Sequence, residues 1–279
     1  MKLKSAFKKI NASMTLAEKI VFFFTLVTLI GTLAFVVAQV IIAPSESAEA
    51  HEKVKADYAL TLLQCVLGII VLHLPVFLEY RFSLEVPSVM TIMYVIFLYC
   101  AIYLGEFQSF YFRVPHWDII LHTFSGAMTG ALSFSVICYL TKSTGAKLNP
   151  ALVAIFAFCF AVTVGVLWEF YEYAVDAIAD LNMQKYADEA DVAFAGKAAV
   201  ADTMEDLLVD AVGAFVMSVI GYVSVKFDKT WLNKLLIVKK QPEEPSAATF
   251  SDAEVAVTDA EVIAADETPL PDDSGEKTN

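Results

Sequence analysis

Apolar residues in this chain fall into six blocks, each bounded by charge, proline or aromatic side chains. They cover about residues 20 to 43, 58 to 77, 89 to 105, 117 to 141, 150 to 176 and 204 to 226. A hydrocarbon core of about 30 Å is crossed by about 20 helical residues. The pattern therefore predicts an all-α, polytopic membrane helix bundle with about six transmembrane helices, occupying residues 20–226. The third block is the shortest. Two starts are written locally: Thr15-Leu16-Ala17-Glu18 reads as a capping box ahead of the first span, and Asn149-Pro150 supplies a cap and a first-turn proline for the fifth.

The flanks differ from the spans. Lys2, Lys4, Lys8 and Lys9 surround Leu3, Phe7 and Ile10, so residues 1–19 read as a basic amphipathic segment suited to an anionic leaflet. The run that follows is too long for the apolar centre of a cleaved signal. Residues 227–240 form a basic juxtamembrane segment. Beyond them, residues 241–279 hold eleven acids and one lysine with no apolar period, which predicts a disordered acidic tail.

Charge then locates the termini. With the N-terminus inside, cytoplasmic segments hold thirteen Lys and Arg residues, and the opposite loops hold five: Lys53, Lys55, Arg113, Lys185 and Lys197. The positive-inside rule thus predicts a multi-pass cell-membrane protein with both termini cytoplasmic. The net charge is −13, of which the tail carries −10, so no basic groove for nucleic acid exists. Cys65, Cys100, Cys138 and Cys159 fall singly in separate blocks and read as packing thiols.

This topology brings the acidic ends of spans four, five and six to the extracytoplasmic face. On span four, Asp118, His122, Gly126 and Gly130 recur every four residues. The glycines permit close helix approach, and Asp118 can orient His122 or share a cation with it. On span five, Glu169, Glu172 and Asp176 share a face at the helix C-terminus, where the macrodipole disfavours acids. Glu169 stands about 28 Å from Pro150, whereas Asp176 and Asp180 read as a solvated helix end.

On span six, Asp202-Thr203-Met204-Glu205 fits a capping box, while Asp206 and Asp210 continue into the helix. Asp210 lies about 12 Å beyond Asp202, too deep for a cap. A carboxylate there needs a partner, a proton or a wet cavity. Arg113 is the expected protein cation for this group, and a metal ion is the rival. Trp117, Trp168, Phe107, Phe110, Tyr111 and Phe112 read as an interfacial aromatic belt.

The stretches Trp117 to His122 with Gly126, Trp168 to Glu172, and Asp202 to Asp206 with Asp210 and Gly213 resemble the YjdF-like group of bacterial membrane proteins. They resemble the VanZ-like proteins linked to glycopeptide resistance more distantly. The resemblance covers roughly residues 113 to 215. It implies Asp118, His122, Glu169, Glu172, Asp206 and Asp210 as shared polar positions without assigning an activity.

Three functional readings follow. In the leading one, His122, Glu169, Glu172, Asp206 and Asp210 hold a divalent metal ion near the outer leaflet, where it acts on a lipid-linked or cell-envelope substrate. Catalysis would then involve Asp118, His122, Glu169 and Asp210. In the second, protonation of Asp210 and Glu169 couples to helix movement in a transporter or ion-binding protein. In the third, the acids serve packing and interaction alone.

Overall fold

The computed structural model describes residues 14–44, 53–188, 192–227 and 233–239. Residues 1–13 of the amphipathic segment expected at the N-terminus and the acidic tail lie outside these residues, and Leu16 to Lys19 of that segment belong to the first helix. Within them the chain is a helix bundle with six segments long and apolar enough to cross a membrane. Helix α1 is Leu16–Ile42, α2 is Lys55–Val71, α3 is Leu74–Phe82 and α4 is Ser88–Leu98. A π-helix, Tyr99–Phe107, continues α4 and completes the third span. After the short α5 (Phe110–Arg113) come α6 (Trp117–Thr144), α7 (Pro150–Ala179) and α8 (Ala201–Lys226).

The helix starts show how far local chemistry sets the boundaries. Thr15 Oγ1 accepts from Glu18 N–H at 3.3 Å, and Glu18 Oε2 accepts from Thr15 N–H at 2.6 Å, completing the capping box. Asn149 Oδ1 accepts from Ala151 N–H at 2.9 Å, with Pro150 opening α7. The box expected at Asp202 is absent. Helix α8 begins at Ala201 with no side-chain cap, so Asp202 already lies in its first turn. A Gly196–Val200 3-10 turn feeds the helix directly and leaves the Asp202 side chain free for another partner.

Helices α1, α2 and α4 pack around Phe22, Leu29, Cys65, Leu72, Val95 and Leu98. Helices α6, α7 and α8 form a second packed group, with Phe134, Val153 and Ala157 at its centre. Outward faces such as Phe156, Phe160, Leu167 and Phe170 on α7 stay exposed, as lipid-facing residues do. Of the four thiols, Cys65 is buried, Cys100 and Cys138 are half-buried, and Cys159 is exposed, so the expected packing role does not extend to Cys159. A two-residue strand β1 (Leu84–Glu85) pairs antiparallel with β2 (Val238–Lys239), tying the segment after α3 to the segment after α8.

The π-helix carries its own polar environment. Its wide turn is closed by Gln108 N–H donating to Tyr103 C=O at 3.0 Å, and Tyr99, Tyr103 and Phe107 stack along it. The Lys53 ammonium donates to the Glu106 and Phe107 carbonyls at 2.9 and 3.2 Å. Burial holds the Lys53 pKa below the usual lysine range, against the opposing pull of Glu106 and Asp57. Thr61 and Gln64 reach the Glu106 carboxylate at 3.5 Å each.

Helices α6 and α8 approach each other backbone to backbone. A Cβ on Gly126 would collide with the Asp210 backbone, and one on Gly213 would collide with the Thr123 carbonyl oxygen and Ala127 N. At Gly130 the nearest atom would be Ala214 Cα at 3.2 Å. The two backbones therefore touch along a line that only glycine permits. Gly126→Ala is expected to lower the melting temperature in detergent markedly, because backbone rather than a flexible side chain must move, at a cost of about 1–3 kcal/mol. Gly31→Ala, which meets nothing within 4 Å, should leave it unchanged or raise it slightly. Equal melting temperatures for the two variants would contradict the close approach.

Candidate metal centre

The α6 to α8 contact sets Asp210 beside the polar stripe of α6. Ser125 Oγ donates to Asp210 Oδ1 at 2.7 Å, and His122 Nδ1 lies 3.4 Å from Asp210 Oδ2. Gly165 of α7 faces the same carboxylate, and a Cβ there would come within 2.9 Å of Oδ2. A buried carboxylate deep in a span is thus held by a hydroxyl, an imidazole and a notch cut by a missing side chain.

The other edge of the imidazole meets two more acids. His122 Nε2 lies 3.6 Å from Asp206 Oδ2 and 3.7 Å from Asp118 Oδ1. Asp206 and Asp210 stand one helical turn apart on α8, so they address opposite nitrogens of one ring. Ligand atoms of Asp118, His122 and Asp206 all lie within 4.8 Å of one another. Ligands about 2.0–2.2 Å from a Zn²⁺-like ion stand about 3–3.5 Å apart, so this trio needs only small adjustment to share one. Asp210 on Nδ1 then supplies the carboxylate that orients a metal-binding histidine. The residues present fit a divalent ion, and the cluster is capable of holding one.

The protein's own cation at this centre is Lys185. Its Nζ pairs with Asp118 Oδ2, lies 3.7 Å from Asp202 Oδ1 and sits 4.9 Å from the centre of the Tyr111 ring. Arg113, the cation expected from sequence, lies instead where its charge acts on Lys53. Among the described residues, the ion pairs of the cluster run to His122 and Lys185. Tyr111 is no simple belt residue either. It packs against Gly105, where no side chain intervenes, and burial together with nearby Glu106 raises its phenol pKa, keeping it protonated.

Glu169 and Glu172 come in from α7, buried to 4% and 7% exposure. Both are electrostatically coupled to His122 and Asp206. Neither Glu169 oxygen makes a hydrogen bond among the described residues. The Thr203 side chain lies close to Glu169 without reaching hydrogen-bond geometry, and its hydroxyl accepts from Gln184 Nε2 at 3.0 Å. Six carboxyl groups, on Asp118, Glu169, Glu172, Asp202, Asp206 and Asp210, therefore face one ammonium, Lys185, and one imidazole, His122. In a low-dielectric interior that imbalance calls for protons or a further cation.

Asp176 departs from the expected solvated end. It is buried and accepts from Met183 N–H at 2.8 Å and Gln184 N–H at 2.9 Å, whereas Asp180 is exposed with left-handed backbone. Asn182 accepts from Ala187 N–H at 3.1 Å and donates to its carbonyl at 2.9 Å. These bonds fix the turn that carries Lys185 to the cluster. Sequence reasoning missed Lys185, Tyr111, Ser125 and Gly165. None of the four was singled out by a local pattern, and Lys185 is one of two lysines, with Lys197, in the loop after α7.

The fold and site define a polytopic helical membrane protein with a buried carboxylate and histidine cluster shared by three spans. Residues 24–227 match the family described as "Predicted membrane protein (DUF2238)", and the chain belongs to that family. A Thermotoga maritima relative, described as an uncharacterized protein, is 35% identical over 120 residues, or 43% of this chain. The aligned stretch spans about half of that relative, 54% of its length. No solved structure matches the chain.

Asp176→Ala should loosen the turn, since two buried N–H groups lose their acceptor at about 1–3 kcal/mol each. Limited proteolysis checks this: cleavage between residues 181 and 195 should accelerate in the variant while the helices stay protected. Unchanged cleavage would show that the turn is held by other means.

Proposed function

We propose that the chain binds a divalent metal ion through Asp118, His122 and Asp206, in a chamber facing the extracytoplasmic leaflet, and acts there on a phosphate or ester of a lipid-linked envelope substrate. The observation carrying this reading is the spacing of the three ligand atoms around His122 Nε2, backed by Asp210 on Nδ1. Such an ion would supply Lewis-acid polarisation of a phosphoryl or carbonyl oxygen. Asp210 and Ser125 hold the imidazole in place. Glu169, buried with no hydrogen-bond partner among the described residues, is the carboxylate free to take a proton from an attacking water. The orientation rests on the excess of Lys and Arg on the cytoplasmic side, and both termini belong there.

The test begins with the metal. Purified full chain, dialysed against Zn²⁺ or Mn²⁺, should retain close to one equivalent by elemental analysis. His122→Ala and Asp206→Asn should lose it, and Glu169→Gln should keep it while losing turnover of a lipid phosphate or ester. Binding should release protons, because the ligands must be deprotonated to bind. A folded wild type that retains neither ion would remove the proposal.

The unpartnered Glu169 oxygens also favour a second reading, a transporter or proton-binding protein in which Glu169 takes up and releases a proton as helices move. It predicts pH-driven flux in proteoliposomes that Glu169→Gln abolishes. Flux unaffected by Glu169→Gln would eliminate it.

A further inference from the structure

Lys185 stands in an unusual place for a loop lysine. It lies in the turn after α7, its backbone is left-handed with φ 47°, and its side chain is only 23% exposed. The turn is anchored on three sides. Asp176 holds the N–H groups of Met183 and Gln184, Gln184 reaches Thr203 of α8, and Leu181 and Met183 pack on Leu60 of α2. Lys185 is therefore presented to Asp118, Asp202 and the face of Tyr111 by a built support rather than by chance of rotamer.

Its partner Asp118 is also one of the three residues whose ligand atoms converge on His122 Nε2. An ammonium and a divalent ion cannot both use that carboxylate without lying a few ångströms apart, where like charges repel strongly away from bulk water. Asp202 offers the ammonium somewhere else to go. Asp202 Oδ1 is already 3.7 Å from Nζ, and Asp202 Oδ2 is buried without a hydrogen-bond partner among the described residues.

We propose that Lys185 is a tethered competitor for the cation site: it occupies Asp118 when no ion is bound and moves to Asp202 when a divalent ion takes Asp118. The inference rests on the metal site proposed above and adds that the site's affinity is set by a residue that is not a ligand. A site blocked in most molecules binds with an apparent affinity reduced by the fraction that is free. Removing the block restores the difference. The Lys185 device thereby keeps the carboxylates partnered without an ion and makes ion loading reversible.

Two measurements on the full chain in detergent test this. Calorimetric titration with Mn²⁺ should give a Kd at least about ten-fold lower for Lys185→Met and Lys185→Gln than for wild type. In the wild type, acylation of Lys185 by an amine-reactive reagent, read by mass spectrometry against exposed Lys197, should rise when Mn²⁺ is added. The second measurement needs no variant, so misfolding of Lys185→Met cannot decide the matter. Stoichiometric Mn²⁺ binding by wild type with unchanged or weaker binding by the variants, or with Lys185 acylation unmoved by Mn²⁺, overturns the competitor and leaves the metal site standing. Absence of Mn²⁺ binding in wild type and both variants overturns the competitor and the metal site together.

Discussion

The close approach of α6 and α8 is the constraint on which the rest of the structure depends. At Gly126 and Gly213 the two backbones meet with no side chain between them, so residues on either side of the contact have fixed distances. His122 and Ser125 on one helix and Asp206 and Asp210 on the other are those residues. Small residues promote helix association in lipid because apolar packing gains little there over contact with the lipid tails. Here the same small residues also decide which polar groups touch. Gly165 extends the logic to α7, making room for the Asp210 carboxylate at the meeting point of three helices.

Electrostatics then dictates what the cluster does. A carboxylate buried among other carboxylates is stable only as a member of a group that includes cations or protons. His122 answers part of the demand by touching an acid at each ring nitrogen. Lys185 answers another part from outside the helices, at the end of a turn whose shape is set by Asp176. Glu169 is left without an answer inside the described protein. The cluster is therefore organised around incomplete compensation, which suits binding better than packing.

Much of this was legible in the residues. Span number, the capping box at Thr15, the start at Pro150 and the glycine stripe of α6 follow from periodicity and local chemistry, which act over a few residues. The meeting of His122 with Asp210 was readable as a shared face and depth, because both helices start from the same end and run in parallel register. Lys185 was not, since its position comes from a turn whose hydrogen bonds link residues seven and eight apart in sequence to a buried Asp176. The sequence pointed to Arg113 by proximity along the chain, yet the ion pairs of the cluster among the described residues run to His122 and Lys185. The Asp202 box failed because the 3-10 turn before α8 removes the extended residue that a cap requires.

The π-helix of the third span has a consequence for how this chain can vary. A wide turn holds one residue more than an α-turn in the same stretch of helix. Regularising the wide turn to α-helix with every residue kept would rotate everything after it by about 100°. Glu106 would turn away from Thr61 and Gln64, the Lys53 ammonium would lose its two carbonyls, and Tyr111 would no longer rest on Gly105 beneath Lys185. Register changes in this span are thus tied to the cluster on the spans that follow, and the length of the third span is a matter of register as much as a fit to bilayer thickness.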